Sequence, residues 1–267
     1  MAQILQPLLV ALLLWWVSTG VILWLVRLPR ASFGWSLLLT APLTVLALAG
    51  LAITARQDTA MASYLAFGCA LTVWGWHEMS FLMGKLTGPR RTACPPEARG
   101  WRRFIVSAET LIHHELALFG TALLFVALTW DQPNQTGTLT YLLLLGMRLS
   151  TKLNLFLGVP NPPVSLLPES LVYLKSYFRR ARFNALLPVS LILSTVVTGL
   201  LGVAALEADG AGDVGYALMF GLAALGLLEH GFLILYSPDQ ALWGWALGEK
   251  QKPALQAVLE PLGKPEQ

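Results

Sequence analysis

The stretch Leu8-Leu-Val-Ala-Leu-Leu-Leu-Trp-Trp-Val-Ser-Thr-Gly-Val-Ile-Leu-Trp-Leu-Val26 holds nineteen residues without a single charge. As a helix rising 1.5 Å per residue it reaches about 28 Å, close to the ~30 Å of hydrocarbon in a bilayer. Its apolar residues fall on every side rather than alternating, so it reads as a membrane helix and not as a strand of an outer-membrane barrel. The rest of the chain has the same character. Over 267 residues, 55% are apolar and only 12% charged, and the mean hydropathy is +0.61. Soluble domains carry about 25% charged residues, so the composition excludes a soluble fold. The first apolar stretch lacks a basic leader and is longer than a signal core, which points to a retained span.

Further apolar stretches between turn and charge signals give seven expected spans: Leu5–Val26, Phe33–Ala55, Thr59–Leu82, Phe104–Trp130, Leu139–Leu157, Asn184–Leu206 and Val214–Tyr236. The fold class is therefore an all-α integral membrane protein, a bundle of about seven transmembrane helices over 1–236, with a cytoplasmic tail over 237–267. Charge in the connections sets the orientation. Fifteen of the 18 Lys and Arg fall after spans one, three, five and seven, among them Arg27, Lys85, Arg90, Arg103, Lys175, Arg179 and Lys250. The other connections hold only Arg56. Because Lys and Arg concentrate in cytoplasmic loops, this alternation predicts an N-terminus outside and a C-terminus in the cytoplasm.

The basic residues are explained by orientation, so the pI near 9.0 gives no reason to expect a nucleic-acid partner. Cys69 and Cys94 form no metal-type spacing and no disulfide framework. The prolines of Val159-Pro-Asn-Pro-Pro163 stop the fifth span. Beyond them Leu171, Leu174, Tyr177 and Phe178 with Lys175, Arg179, Arg180 and Arg182 predict a basic amphipathic helix over 170–183, either lying on the anionic bilayer surface or serving as an ordinary inner loop.

Ionisable residues inside the apolar runs carry the functional signal. All four histidines are there: His77 beside Glu78 in span three, His113 and His114 with Glu109 and Glu115 in span four, and His230 after Glu229 in span seven. Span five adds Arg148, Lys152 and Asn154. Each Arg, Lys or Asp at mid-helix costs roughly 2.5 to 3.5 kcal/mol on insertion scales. Counted from the cytoplasmic ends, His77, Glu109, His113, Arg148, Lys152 and His230 all lie at a depth of about 9 to 15 Å. Four helices therefore contribute to one polar layer. Glu109 and His113 are four apart and share a helical face, as do Arg148 and Lys152. No Glu-x-x-His or His-Glu-x-x-His motif is present.

Three readings of the layer stay open. It can be an interhelical network in which Arg148, Lys152 and histidines neutralise the acids. It can ligate a transition metal or a tetrapyrrole through His77, Glu109, His113 or His230, with Glu78, Glu115 and Glu229 as co-ligands or outer support. It can also form a proton or substrate path, although no inverted repeat supports a transporter. The acids outnumber the two cations, which favours a cationic guest or protonated histidines.

Three blocks carry a family likeness: Trp74-Gly-Trp-His-Glu-Met-Ser-Phe-Leu-Met-Gly-Lys-Leu-Thr-Gly-Pro-Arg-Arg91, His113-His-Glu-Leu-Ala117 and Met147-Arg-Leu-Ser-Thr-Lys-Leu-Asn-Leu-Phe-Leu-Gly-Val-Pro-Asn161. Together they resemble the PuhE family of photosynthetic complex assembly proteins of purple bacteria, over about spans three to six. The resemblance implies an inner-membrane assembly factor for the reaction centre and core antenna, linked to bacteriochlorophyll supply. Its partners would be reaction-centre or antenna subunits or other assembly factors, in the lipid bilayer of the photosynthetic membrane, and its cofactor bacteriochlorophyll or a precursor. It carries no catalytic residues over. The rival from a different class is a membrane-embedded metal-dependent enzyme acting on a pigment or lipid.

Overall fold

The computed structural model describes residues 2–208, 211–235 and 239–247. Among these it is all-helical: α1 (Ala2–Leu25), α2 (Phe33–Thr54), α3 (Ala60–Leu82), α4 (Gly100–Ala108), α5 (Ile112–Leu128), α6 (Thr136–Leu157), α7 (Leu186–Glu207), α8 (Ala211–Phe232) and α9 (Asp239–Leu247). Val159 and Arg180 form an isolated bridge, the one β-type pairing among the described residues.

Four segments are long and apolar enough to cross a membrane: Ile4–Leu25, Arg30–Thr54, Leu186–Glu207 and Gly212–Phe232. The bent pair Gly100–Ala108 and Ile112–Leu128 makes a fifth if it is one broken span. The chain is thus a multi-pass membrane protein. Helices α3 and α6 are as long but carry the ionisable layer, which lowers their apolarity below that of the others. Large aliphatic residues exposed on α2 and α7, such as Leu39 at 73% and Leu200 at 65%, form outer faces suited to lipid.

Helix α3 is the centre of the bundle and packs on α1, α2, α5, α6 and α8. Its Ala62, Ala66 and Ala70, four apart, are buried and let neighbouring backbones approach. On one side Val73 meets Leu51, Leu118, Phe125 and Tyr141. On the other, Phe67 packs with Ala11, Leu218 and Leu222. Helix α6 comes so close that a Cβ on Gly137 would lie 2.3 Å from Leu51 Cδ1. At this end Asn134 ties the α5–α6 turn to α2 through its N–H and Nδ2, which donate to the carbonyls of Ala55 and Thr54.

Two expectations are corrected. The span over Phe104–Trp130 is not continuous, because the chain turns by 67° between α4 and α5. The loop after α3 occupies the break: Arg90 N–H donates to the Glu109 carbonyl, and His114 N–H donates to the Thr87 carbonyl. The loop supplies partners that a straight helix would have found within itself. Gly88 makes this possible, since a Cβ there would sit 2.0 Å from the Glu109 carbonyl oxygen. Second, the segment expected as an amphipathic α-helix over 170–183 is a 3-10 helix over Glu169–Tyr177, kinked at Leu171. Its Leu171, Leu174 and Tyr177 pack on Phe81, Ala98 and Val106, so the apolar side enters the protein core. Arg103 holds it there, donating from Nη2 to the Tyr177 carbonyl and from Nη1 to that of Phe156.

The first part of the expected tail, α9, lies on α1. Trp16 Nε1 donates to the Leu242 carbonyl at 2.9 Å, and Trp243 Nε1 to the Trp16 carbonyl at 3.3 Å. The rest of the tail, with Lys250, Lys252 and Lys264, lies outside the described residues, as do Tyr236 and Asp209.

Candidate functional site

Helix α6 organises the polar layer because Arg148 and Lys152, one turn apart, face the same way. Arg148 Nη2 donates to Glu78 Oε2 of α3 at 2.7 Å, and Lys152 Nζ to Glu115 Oε1 of α5 at 2.5 Å. These two charge-assisted pairs cross-link three helices where an unpaired charge would be costly. His114 is fully buried, stacked on Phe81 with ring centroids 4.5 Å apart, and its Nε2 is 3.6 Å from Glu78 Oε1. His77 Nε2 shares a 2.9 Å hydrogen bond with Thr121. Buried atoms without a hydrogen-bond partner gather here: His77 Nδ1, Glu78 Oε1 and both ring nitrogens of His114.

His230 lies on the other side of α6. Its Nδ1 is 2.8 Å from the Gly226 carbonyl, which has no proton to give, so Nδ1 carries the hydrogen. Nε2 lies 2.9 Å from the Ser150 hydroxyl oxygen. Ser150 also meets Ser190 of α7 at 2.9 Å, and Asn154 Nδ2 donates to Ser190. Both ring nitrogens of His230 are therefore engaged, in a hydrogen-bonded chain joining α6, α7 and α8.

Two expected members are not brought into the layer. Glu109 falls at the helix break and accepts from Arg90 Nε at 3.0 Å, half exposed. That hydrogen bond pushes the Arg90 guanidinium further above its ordinary range. Because the break rotates α5 away from α4, Glu109 and His113 do not share a face. His113 points outward and is exposed, whereas its neighbour His114 faces the layer. Among the described residues no three His, Cys, Asp or Glu side chains converge as a metal site.

Two cavities flank Arg148, and neither is legible in the sequence. The larger, about 300 Å³, lies between α1, α3, α6 and α8 and is lined by Trp15, Trp74, Trp243, Glu78, Arg148 and Glu229. Asn161 closes one end, its backbone N–H donating to the Leu233 carbonyl and its Nδ2 to that of Ile234. The smaller cavity, about 180 Å³, lies beside the α4–α5 break and is lined by Phe81, Phe156 and Leu174 together with Arg148 and Lys152. No histidine lines either cavity. Apolar walls with a few placed polar groups are the usual makeup of a small-molecule site.

The sequence profile of a protein family, described as "protein of unknown function (DUF3623)", matches residues 1–254. The chain belongs to the DUF3623 family. A relative from Rhodobacter capsulatus, named "uncharacterized 30.4 kDa protein in puhA 5'region", is 41% identical over 265 residues, 96% of each chain. No solved structure matches this DUF3623 protein. Within the matched region the charged residues Glu78, Glu115, Arg148 and Lys152 fall on three helices and meet as pairs.

Proposed function

We propose that this protein is an inner-membrane assembly factor for photosynthetic reaction-centre and antenna complexes, of the PuhE type, and that its larger cavity holds bacteriochlorophyll or a precursor in transit. The name of the Rhodobacter capsulatus relative, with its puhA neighbourhood, supports a photosynthetic setting. The observation that carries the pigment reading is the 300 Å³ cavity walled by Trp15, Trp74 and Trp243, with Glu229 and the Glu78–Arg148 pair at its edge. Flat aromatic walls favour a flat apolar guest, and the few polar groups orient it. The guest would be gripped by stacking and by Glu229 rather than by His230, whose nitrogens are both used.

In this reading the chain crosses the membrane seven times, as α1, α2, α3, the bent α4–α5 pair, α6, α7 and α8. The N-terminus is outside and the C-terminus in the cytoplasm. Support comes from the basic connections after α1, α3 and α6, which meet: Arg30 lies 3.9 Å from Glu169, and Arg103 donates to the Tyr177 carbonyl. An alkaline phosphatase fusion after Asp131 should be active and one after Arg91 inactive; the reverse would overturn the orientation.

The deciding experiment is an absorption spectrum of the full-length protein purified from a phototrophic host, with a pull-down probed for reaction-centre subunits. A stoichiometric red-shifted pigment band with co-purifying subunits is the expected result. Protein free of pigment and of those subunits would overturn the reading.

A further inference from the structure

The smaller cavity differs from the larger in its hydrogen-bonding balance. Its lining includes Arg148 and Lys152 but no carboxylate. The hydroxyl protons in its wall are already committed: Ser107 donates to the Arg103 carbonyl, Thr110 to that of Ser107, Thr151 to that of Met147, and Tyr177 to that of Thr92. The donors left over belong to the two cations. Arg148 makes one hydrogen bond, from Nη2, out of five N–H groups, and its side chain is 35% exposed. Lys152 gives one of its three to Glu115. A guest must therefore bring acceptor oxygens to the two cations, while its remaining surface meets Phe81, Phe156, Leu174 and Phe178.

We propose that the cavity beside the α4–α5 break binds an amphiphile with an acidic head, its carboxylate or phosphate oxygens at Arg148 and Lys152 and its apolar body between Phe156 and Leu174. Both cations keep their pairs with Glu78 and Glu115, and the head takes the remaining N–H groups as charge-assisted hydrogen bonds. The cavity shares Arg148, Leu82, Thr151, Pro163 and Leu166 with the larger one, but its own donors carry the proposal, which needs no pigment in its neighbour.

The test uses full-length protein in phosphatidylcholine nanodiscs, titrated with 11-(dansylamino)undecanoic acid and with its methyl ester, with dansyl fluorescence as the readout. The acid should bind saturably and at least about tenfold more tightly than the ester, the difference expected for a hydrogen bond to a charged group. Equal binding of acid and ester, or no saturable binding, would overturn the proposal on the unmodified protein alone. The double variant Glu115→Gln with Lys152→Gln keeps a hydrogen-bonding pair and should lose most of the preference for the acid; an unchanged preference in folded variant would also overturn it. Displacement of the bound acid by phosphatidylglycerol discs would name a lipid phosphate as the native head, and resistance would name a free amphiphilic acid.

Discussion

The two sides of α6 handle polarity inside the helical bundle in opposite ways. Toward α7 and α8, groups outside any ion pair run in a hydrogen-bonded chain from Asn154 through Ser190 and Ser150 to His230 and the Gly226 carbonyl. Toward α3 and α5, full charges are paired, Glu78 with Arg148 and Glu115 with Lys152, and several buried atoms around them have no hydrogen-bond partner. The side toward α7 and α8 leaves one such atom among the described residues, Asn154 Oδ1. Both cavities reach Arg148 on the charged side. Hydrogen-bonded networks fix helix packing, whereas incompletely satisfied charges beside a void are suited to binding.

The sharpest way to break this comparison is Arg148→Leu, which strands Glu78. We expect a loss of about 3 to 5 kcal/mol, read as a large fall in the thermal unfolding midpoint in detergent. The double variant Glu78→Gln with Arg148→Gln should recover much of it, and failure to recover would show that the pair is not the source. Next, His230→Ala should cost about 1 to 3 kcal/mol by leaving Ser150 and its chain unsatisfied. Pigment bound per folded molecule should stay unchanged, and a selective loss of pigment would move His230 to the binding side.

Gly88→Ala should also cost about 1 to 3 kcal/mol, because the added methyl meets the Glu109 carbonyl and the loop must withdraw from the helix break. Protease cleavage in the 84–92 loop would report that withdrawal. The smallest effect on stability is expected from Glu229→Gln, within about 0.5 kcal/mol, since the side chain opens onto the larger cavity. Its pigment-to-protein ratio should nevertheless fall by roughly severalfold. A ratio equal to that of the unmodified protein would remove Glu229 from the site.

The membrane class and the apolar helices α1, α2, α7 and α8 were legible because uninterrupted apolar runs need no partner to explain them. Arg148 and Lys152 were legible too, as a one-turn spacing on a helix that is in fact continuous. The break at 109–111 was not. Glu109-Thr-Leu111 contains neither glycine nor proline, and the cause is a loop some twenty residues earlier that supplies the backbone partners. A depth counted along a straight helix therefore placed Glu109 and His113 in a layer they do not join. His114 was available from the same sequence, but which of two adjacent histidines faces inward depends on the phase of α5, and the break resets that phase. The 3-10 helix over Glu169–Tyr177 was hidden for a related reason: its apolar spacing suits an α-helix, but Pro168 and the buried Leu171 fix the chain differently. The cavities depend on which helices are neighbours, which spacing within one helix does not encode.

The tryptophan contacts between α1 and α9 have a consequence in time. Trp15 and Trp243, their rings 5.3 Å apart at an edge-to-face angle of 64°, both wall the larger cavity, and they come from opposite ends of the chain. Synthesis supplies the first wall at the outset and the second only after the transmembrane helices have been made. A partly translated chain has an open trough where the finished protein has a chamber, so the guest proposed for it could be retained only once α9 docks on α1.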